Sequence, residues 1–94
     1  MNKYETIFIV DAELNEEARA PLLERFKGMV ESNGQLESID EWGTRRLAYP
    51  INDKLEGYYV YIAYNAPPEF PNELERVFKI SDSILKFITI RKDA

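Results

Sequence analysis

Six segments with alternating hydrophobic period follow one another along this chain, and their order leaves few architectures open. Lys3 to Val10 is rich in β-branched and aromatic side chains and reads as a strand, with Tyr4, Thr6, Phe8 and Val10 on one face and Glu5, Ile7 and Ile9 on the other. Its second half is apolar on both faces. The period then changes to a helical one: Ala18, Leu22, Phe26, Met29 and Val30 recur between an N-cap residue, Asn15, and a stop signal, Asn33-Gly34. Pro21 lies beyond the first turn of this helix, where it removes an intrahelical hydrogen bond, so the reading expects a kink there or a main helix starting near residue 20.

Gln35 to Ile51 reads as a long, irregular strand in which Leu47, Tyr49 and Ile51 alternate with Arg46, Ala48 and Pro50, and in which Gly43 is placed to relieve a bulge. Pro50 assigns it to a sheet edge. Residues 52–57 form a polar turn, expected as a loop of about five or six residues, leading into a strand from Tyr58 to Ala66. The Pro67, Pro68 and Pro71 cluster ends that strand, and Pro71 suits the first position of a second helix turning Leu74, Val77 and Phe78 inward. Ser81-Asp82-Ser83 stops the helix, and Ile84 to Arg91 closes the order as a strand apolar on both faces.

The order β-α-β-β-α-β is the split-βαβ arrangement. Right-handed crossovers place the first and third strands at the centre of the sheet and the fourth and second at its edges. The fold class is therefore α+β, a ferredoxin-like four-stranded antiparallel sheet with both helices on one face. With 94 residues, no internal repeat and no linker, residues 1–94 are expected to make a single domain.

Two helices on one face leave the other face of the sheet uncovered. If Tyr58, Val60, Ile62 and Tyr64 join Phe8 and Val10 in the core, the open face carries Ile7, Ile9, Tyr59, Tyr61, Ile88 and Ile90. A contiguous apolar surface of that kind predicts a partner or a ligand. Exposed aromatics on a four-stranded sheet invite comparison with RNA-recognition motifs, but the match is partial. Glu56 stands in the basic position, Tyr59 in the small one, Val60 in that of Phe and Ala63 in that of the last aromatic, so base stacking is poorly supported.

The chain has neither cysteine nor histidine, which removes disulfides, thiolate nucleophiles, Cys/His zinc sites and imidazole bases. Much common catalysis goes with them, while a site built from carboxylates, Lys, Tyr or an oxygen-ligated Mg²⁺ stays formally open. Glu16-Glu17 and the Glu73/Glu75 pair are assigned to the first turns of the helices, where carboxylates favour the macrodipole. The proline cluster is read as a connection rather than a polyproline ligand. The apolar run Ile7 to Val10 is too short for a signal peptide, and no segment reaches the ~18 apolar residues of a membrane span. An intracellular, cytoplasmic protein is the economical expectation.

Twelve basic against seventeen acidic residues give a net charge of −5, which argues against non-specific coating of nucleic acid. The charge is uneven. Residues 1–42 carry 4 basic and 10 acidic side chains, and residues 43–94 carry 8 and 7. An anionic partner would thus be met locally, by Arg45-Arg46 or by the Lys86, Arg91, Lys92 end. Arginine suits phosphate because its planar fork donates two parallel hydrogen bonds, although charges also protect edge strands or pair with acids such as Glu41.

Gly43-Thr44-Arg45-Arg46-Leu47-Ala48-Tyr49-Pro50-Ile51-Asn52 closely resembles the signature of the bacterial small-subunit ribosomal protein six family. The similarity extends to Lys3-Tyr4-Glu5, Gly57-Tyr58-Tyr59, Glu73-Leu74-Glu75-Arg76 and Ile84-Leu85-Lys86. The resemblance implies a non-catalytic constituent of the small ribosomal subunit, with no catalytic residues, metal, cofactor or small-molecule substrate, that binds central-domain ribosomal RNA jointly with small-subunit ribosomal protein eighteen. It further implies that Tyr59 and Tyr61, with Ile7, Ile9 and Ile88, pack against that partner. Arg45 and Arg46 would then meet RNA phosphates, supported by Lys54 in the hairpin turn and by Lys3, Arg91 and Lys92 near the termini.

Two other classes compete. A ferredoxin-like phosphatase would need an anion-binding loop after the first strand, where this chain reads Asp11-Ala12-Glu13-Leu14 and would repel the substrate. A ligand-sensing domain that dimerises through its open face would form a tight symmetric dimer on its own.

Overall fold

The computed structural model describes residues 1–51 and 53–92. It contains β1 (Asn2–Asp11), α1 (Glu16–Asn33), β2 (Gln35–Ile51), β3 (Lys54–Ala66), α2 (Phe70–Ile80) and β4 (Ile84–Arg91). The strands form one antiparallel sheet in the order β2-β3-β1-β4, so the Pro50-bearing strand is an edge as expected. The observed order is that of the ferredoxin-like fold.

A single hydrophobic core fills the space between the helices and one sheet face. Tyr4, Phe8 and Val10 of β1 and Val60, Ile62 and Tyr64 of β3 meet Leu23, Phe26 and Val30 of α1 and Leu74, Val77 and Phe78 of α2. At its centre Phe8, Phe26 and Phe78 pack pairwise with ring centroids 4.8–5.5 Å apart, two of the pairs edge to face. Truncation of any one of these to Ala should cost about 3–5 kcal/mol. Thr6 is fully buried among them, its hydroxyl 2.9 Å from that of Tyr64 and 3.0 Å from that of Thr89. These bonds satisfy the buried hydroxyls and fix the register of β1 between β3 and β4.

Three local expectations change. Helix α1 begins at Glu16 and runs unbroken through Pro21, which sits on its exposed side. Only one hydrogen bond is lost so near the N-terminus, and the first turn is held by Asn15, whose Oδ1 accepts the Ala18 N–H at 2.9 Å. The buried stripe is Leu23, Phe26 and Val30, with Leu22 and Met29 flanking it. Ala18 lies about a third of a turn away and faces solvent, and Arg19 instead covers the Tyr58 ring at 3.8 Å.

The third change concerns the β2–β3 hairpin. Instead of a long polar loop, β3 already starts at Lys54, which pairs with Ile51, and Asp53 adopts φ 64° just before it. Asn52, the first residue of the expected loop, lies outside the described residues. The excess chain is taken up earlier, because between the pairs Arg46–Glu56 and Ile51–Lys54 the four residues Leu47 to Pro50 oppose Leu55 alone. This arm folds over the open face, where Leu47 is buried and, with Tyr49 and Ile51, lines a cleft with Ile9, Tyr59 and Lys86.

Candidate functional site

The strand registers order the open face into rows. Reading β2, β3, β1, β4, one row is Asp40, Tyr61, Ile7, Ile88 and the next is Gly43, Tyr59, Ile9, Lys86. Above them come Ser38, Ala63, Glu5, Ile90 and below them Arg45, Gly57, Asp11. The structure therefore brings together Ile7, Tyr59, Tyr61 and Ile88 as one apolar strip, with Ile88 and Ile90 each half exposed. A shallow groove of about 230 Å³ runs along it, lined by Ile7, Ile9, Tyr59, Lys86, Phe87 and Ile88.

Ile9 differs from the others: it is only 7% exposed. Its cover is the β2 arm, and the packing depends on Gly57, where a Cβ would lie 2.2 Å from Ile9 Cγ2 and 3.3 Å from Leu47 Cδ2. Ile9 thus forms the floor beneath Leu47 rather than a freely exposed side chain. The arm is fastened at its far side by Lys86 Nζ, which donates to the Tyr49 hydroxyl at 2.9 Å.

Trp42 belongs to this surface, and the alternation of β2 did not reveal it. A bulge falls between Glu41 and Gly43, with Gly43 at φ 89°, and Trp42 is the additional residue. Its ring lies nearly parallel to those of Tyr61 (centroids 5.9 Å, 8°) and Tyr59 (6.5 Å, 17°). The indole N–H points to Asp40 Oδ2 at 3.3 Å. The signal in the sequence was the lone tryptophan beside the bulge glycine, since one inserted residue reverses the facing of its neighbours.

Carboxylates edge the aromatic end of the strip. Tyr61 donates its hydroxyl proton to Glu5, and Glu37 accepts from the Asn65 amide on the same face. The Glu5 hydrogen bond, then burial, and then the negative charges of Glu5, Glu37 and Asp40 push the Tyr61 hydroxyl pKa up. Among the described residues no group of three or more potential ligands is close enough to hold a metal ion.

The six predicted cations do not form one patch. Arg45 lies on the open face, its guanidinium 5.4 Å from the Trp42 ring centroid, whereas Arg46 opposes Glu56 on the helix-side face. Lys54, at the same end, is paired with Glu13 and with Asp11 (3.6 Å). At the other end, Lys3 is exposed on the open face, Lys92 pairs with Glu5 at 3.7 Å, and Arg91 donates to Asn2 Oδ1 at 3.3 Å. Eight strand residues separate the rows of Lys3 and Asp11, about 26 Å. Lys86, on the open face beside the groove, joins the Arg45 end.

Comparison with known proteins bears on this surface and on the whole chain. Residues 3–91 match the family model described as "Ribosomal protein S6". The chain belongs to the ribosomal protein S6 family. Small ribosomal subunit protein bS6 of Caldanaerobacter subterraneus subsp. tengcongensis and that of Clostridium novyi are each 49% identical to it over 94 residues, covering 99% of both chains. The crystal structure of 30S ribosomal protein S6 from Thermotoga maritima superposes with a TM-score of 0.91 at 30% identity, over 97% of this chain and 87% of that one. Membership in the S6 family makes this chain a structural, non-catalytic constituent of the small ribosomal subunit, with its place on the ribosome in the cytoplasm.

Proposed function

We propose that this S6 chain binds central-domain small-subunit ribosomal RNA jointly with small-subunit ribosomal protein eighteen, and that it uses two separate surfaces to do so. The observation that carries the proposal is the open sheet face: an apolar strip of Ile7, Tyr59, Tyr61 and Ile88, extended by Trp42 and edged by Glu5, Glu37 and Asp40. Aromatic rings over an apolar floor are the usual energetic centre of a protein interface, and the carboxylate edge suits a basic protein and repels RNA. Ile9 contributes through the floor it makes under Leu47.

RNA phosphates are met at the rim of that face. Arg45 and Arg46 take the principal contacts, one from each side of the β2 edge, and Lys3, Arg91 and Lys92 form a second basic end. Lys54 is already neutralised by Asp11 and Glu13, so we assign it to holding the turn rather than to the RNA. At −5, the chain gains little from RNA alone, and a basic partner supplies the missing counter-charge.

The test is a titration against a central-domain fragment of small-subunit ribosomal RNA, with and without small-subunit ribosomal protein eighteen, at two salt concentrations. The proposal expects tight binding only with the partner and a shallower salt dependence for Arg45→Ala/Arg46→Ala. Equal affinity with and without the partner would reject joint binding.

A further inference from the structure

We propose that Trp42 is a positioning residue for Arg45, holding its guanidinium at the rim of the sheet in the orientation used to contact phosphate. The inference rests on the RNA-binding role proposed for Arg45 and assigns a specific part to a residue that touches no phosphate itself.

The geometry is built from the backbone outward. Gly43 holds φ 89°, yet a Cβ placed there would meet nothing within 4 Å. Space therefore does not require the glycine; the left-handed backbone does, and that backbone is what inserts Trp42 into the bulge. Once inserted, the indole is fixed from two sides, by near-parallel packing on Tyr59 and Tyr61 and by the Nε1–H contact to Asp40. Among the described residues it also meets Arg45, whose guanidinium carbon stands 5.4 Å from the ring centroid. A guanidinium over an indole keeps its in-plane N–H groups unengaged by the ring, so the fork stays directed outward while rotamer freedom is reduced. Arg46, on the opposite face of the strand, has no such platform among the described contacts. The two neighbouring arginines are thus unequal, and Arg45 is the preorganised one.

Two measurements test this together. In the free protein, the Arg45 Cδ protons should show an upfield ring-current shift that is lost in Trp42→Ala and largely kept in Trp42→Phe, with the amide spectrum of the helices unchanged. In titration of the RNA fragment at saturating partner, so that any loss of partner affinity does not enter, Trp42→Ala should weaken RNA binding by the same factor as Arg45→Ala. It should also lower the slope of log affinity against log salt by about one, the signature of one lost phosphate contact. The double variant should be no weaker than Arg45→Ala alone, and Trp42→Phe should restore most of the loss. Absence of the ring-current shift, or losses for Trp42→Ala and Arg45→Ala that simply add, would overturn the proposal. If the wild type binds no RNA even with the partner, the RNA reading itself fails, and the ring-current result alone decides whether Trp42 positions Arg45.

Discussion

The Tyr49 hydroxyl on β2 accepts a hydrogen bond from Lys86 Nζ on β4 at 2.9 Å, joining the two edge strands across the open face of the sheet. The ammonium also lies 5.4 Å from the Tyr49 ring centroid. The hydrogen bond, reinforced by the Lys86 charge, lowers the Tyr49 pKa and raises that of Lys86. The contact fastens the Leu47–Pro50 arm, which otherwise has only Leu55 opposite it in the ladder.

Loss of this fastening should loosen the arm without unfolding the domain. Tyr49→Phe and Lys86→Met are each expected to leave global stability nearly unchanged, as for most exposed pairs. Amide hydrogen exchange at Leu47 and Tyr49 should nevertheless quicken, while the Phe8 and Val60 amides keep their protection. Unchanged exchange in the arm would show that Leu47 burial alone holds it.

Two glycines should fail for opposite reasons. Gly57→Ala introduces a Cβ 2.2 Å from Ile9 Cγ2 and should cost about 1–3 kcal/mol through crowding. Gly43→Ala meets no atom and should cost about 1–2 kcal/mol through backbone conformation alone. Ile9→Ala should relieve much of the Gly57→Ala penalty and none of that of Gly43→Ala. Urea denaturation of the three single variants and the two pairs with Ile9→Ala distinguishes crowding from backbone strain, and equal rescue of both would contradict this assignment.

Thr6 sits between two hydroxyls, which makes the direction of a substitution matter. Thr6→Val removes the partner of both Tyr64 and Thr89 at once and should cost about 1–3 kcal/mol. Tyr64→Phe should cost less, because Thr6 keeps its bond to Thr89. Thermal unfolding would show this order, and a reversed order would contradict it.

Alkaline pH should destabilise the fold in a way that Tyr64 accounts for in part. Burial pushes the Tyr64 pKa up, against the lowering effect of the Thr6 hydrogen bond. The folded state therefore retains a proton that the unfolded chain releases from about pH 10 upward, and stability falls as pH rises through that window. Lys54, raised chiefly by its hydrogen bond to Glu13, acts in the same sense: its contribution is present below its unfolded pKa and is lost as pH rises through the folded one. Denaturant midpoints between pH 9 and 11 should fall less steeply in Tyr64→Phe than in the wild type.

Period and turn chemistry made the element order legible, and with it the sheet topology and the facing of Phe8, Val60 and Tyr64. The aromatic strip was legible for the same reason, because strict alternation in β1 and β3 fixes both faces at once. Alternation stops informing where a strand gains residues. The bulge at Gly43 brought Trp42 onto the open face, and the run from Leu47 to Pro50, four residues opposite Leu55 alone, buried Ile9, neither of which a period of two can register. The ion pairing of Lys54 was not legible for a different reason: its partner Glu13 is 41 residues away in sequence, and only the packed hairpin brings them together.

The most direct test of the account is a map of amide chemical-shift changes as unlabelled small-subunit ribosomal protein eighteen is added to the ¹⁵N-labelled chain without RNA. The account predicts that the largest changes fall on Ile7, Trp42, Tyr59, Tyr61 and Ile88, leave α1 and α2 nearly unmoved, and disappear in Tyr59→Ala/Tyr61→Ala. Changes centred on the helices, or none on the open sheet, would contradict it.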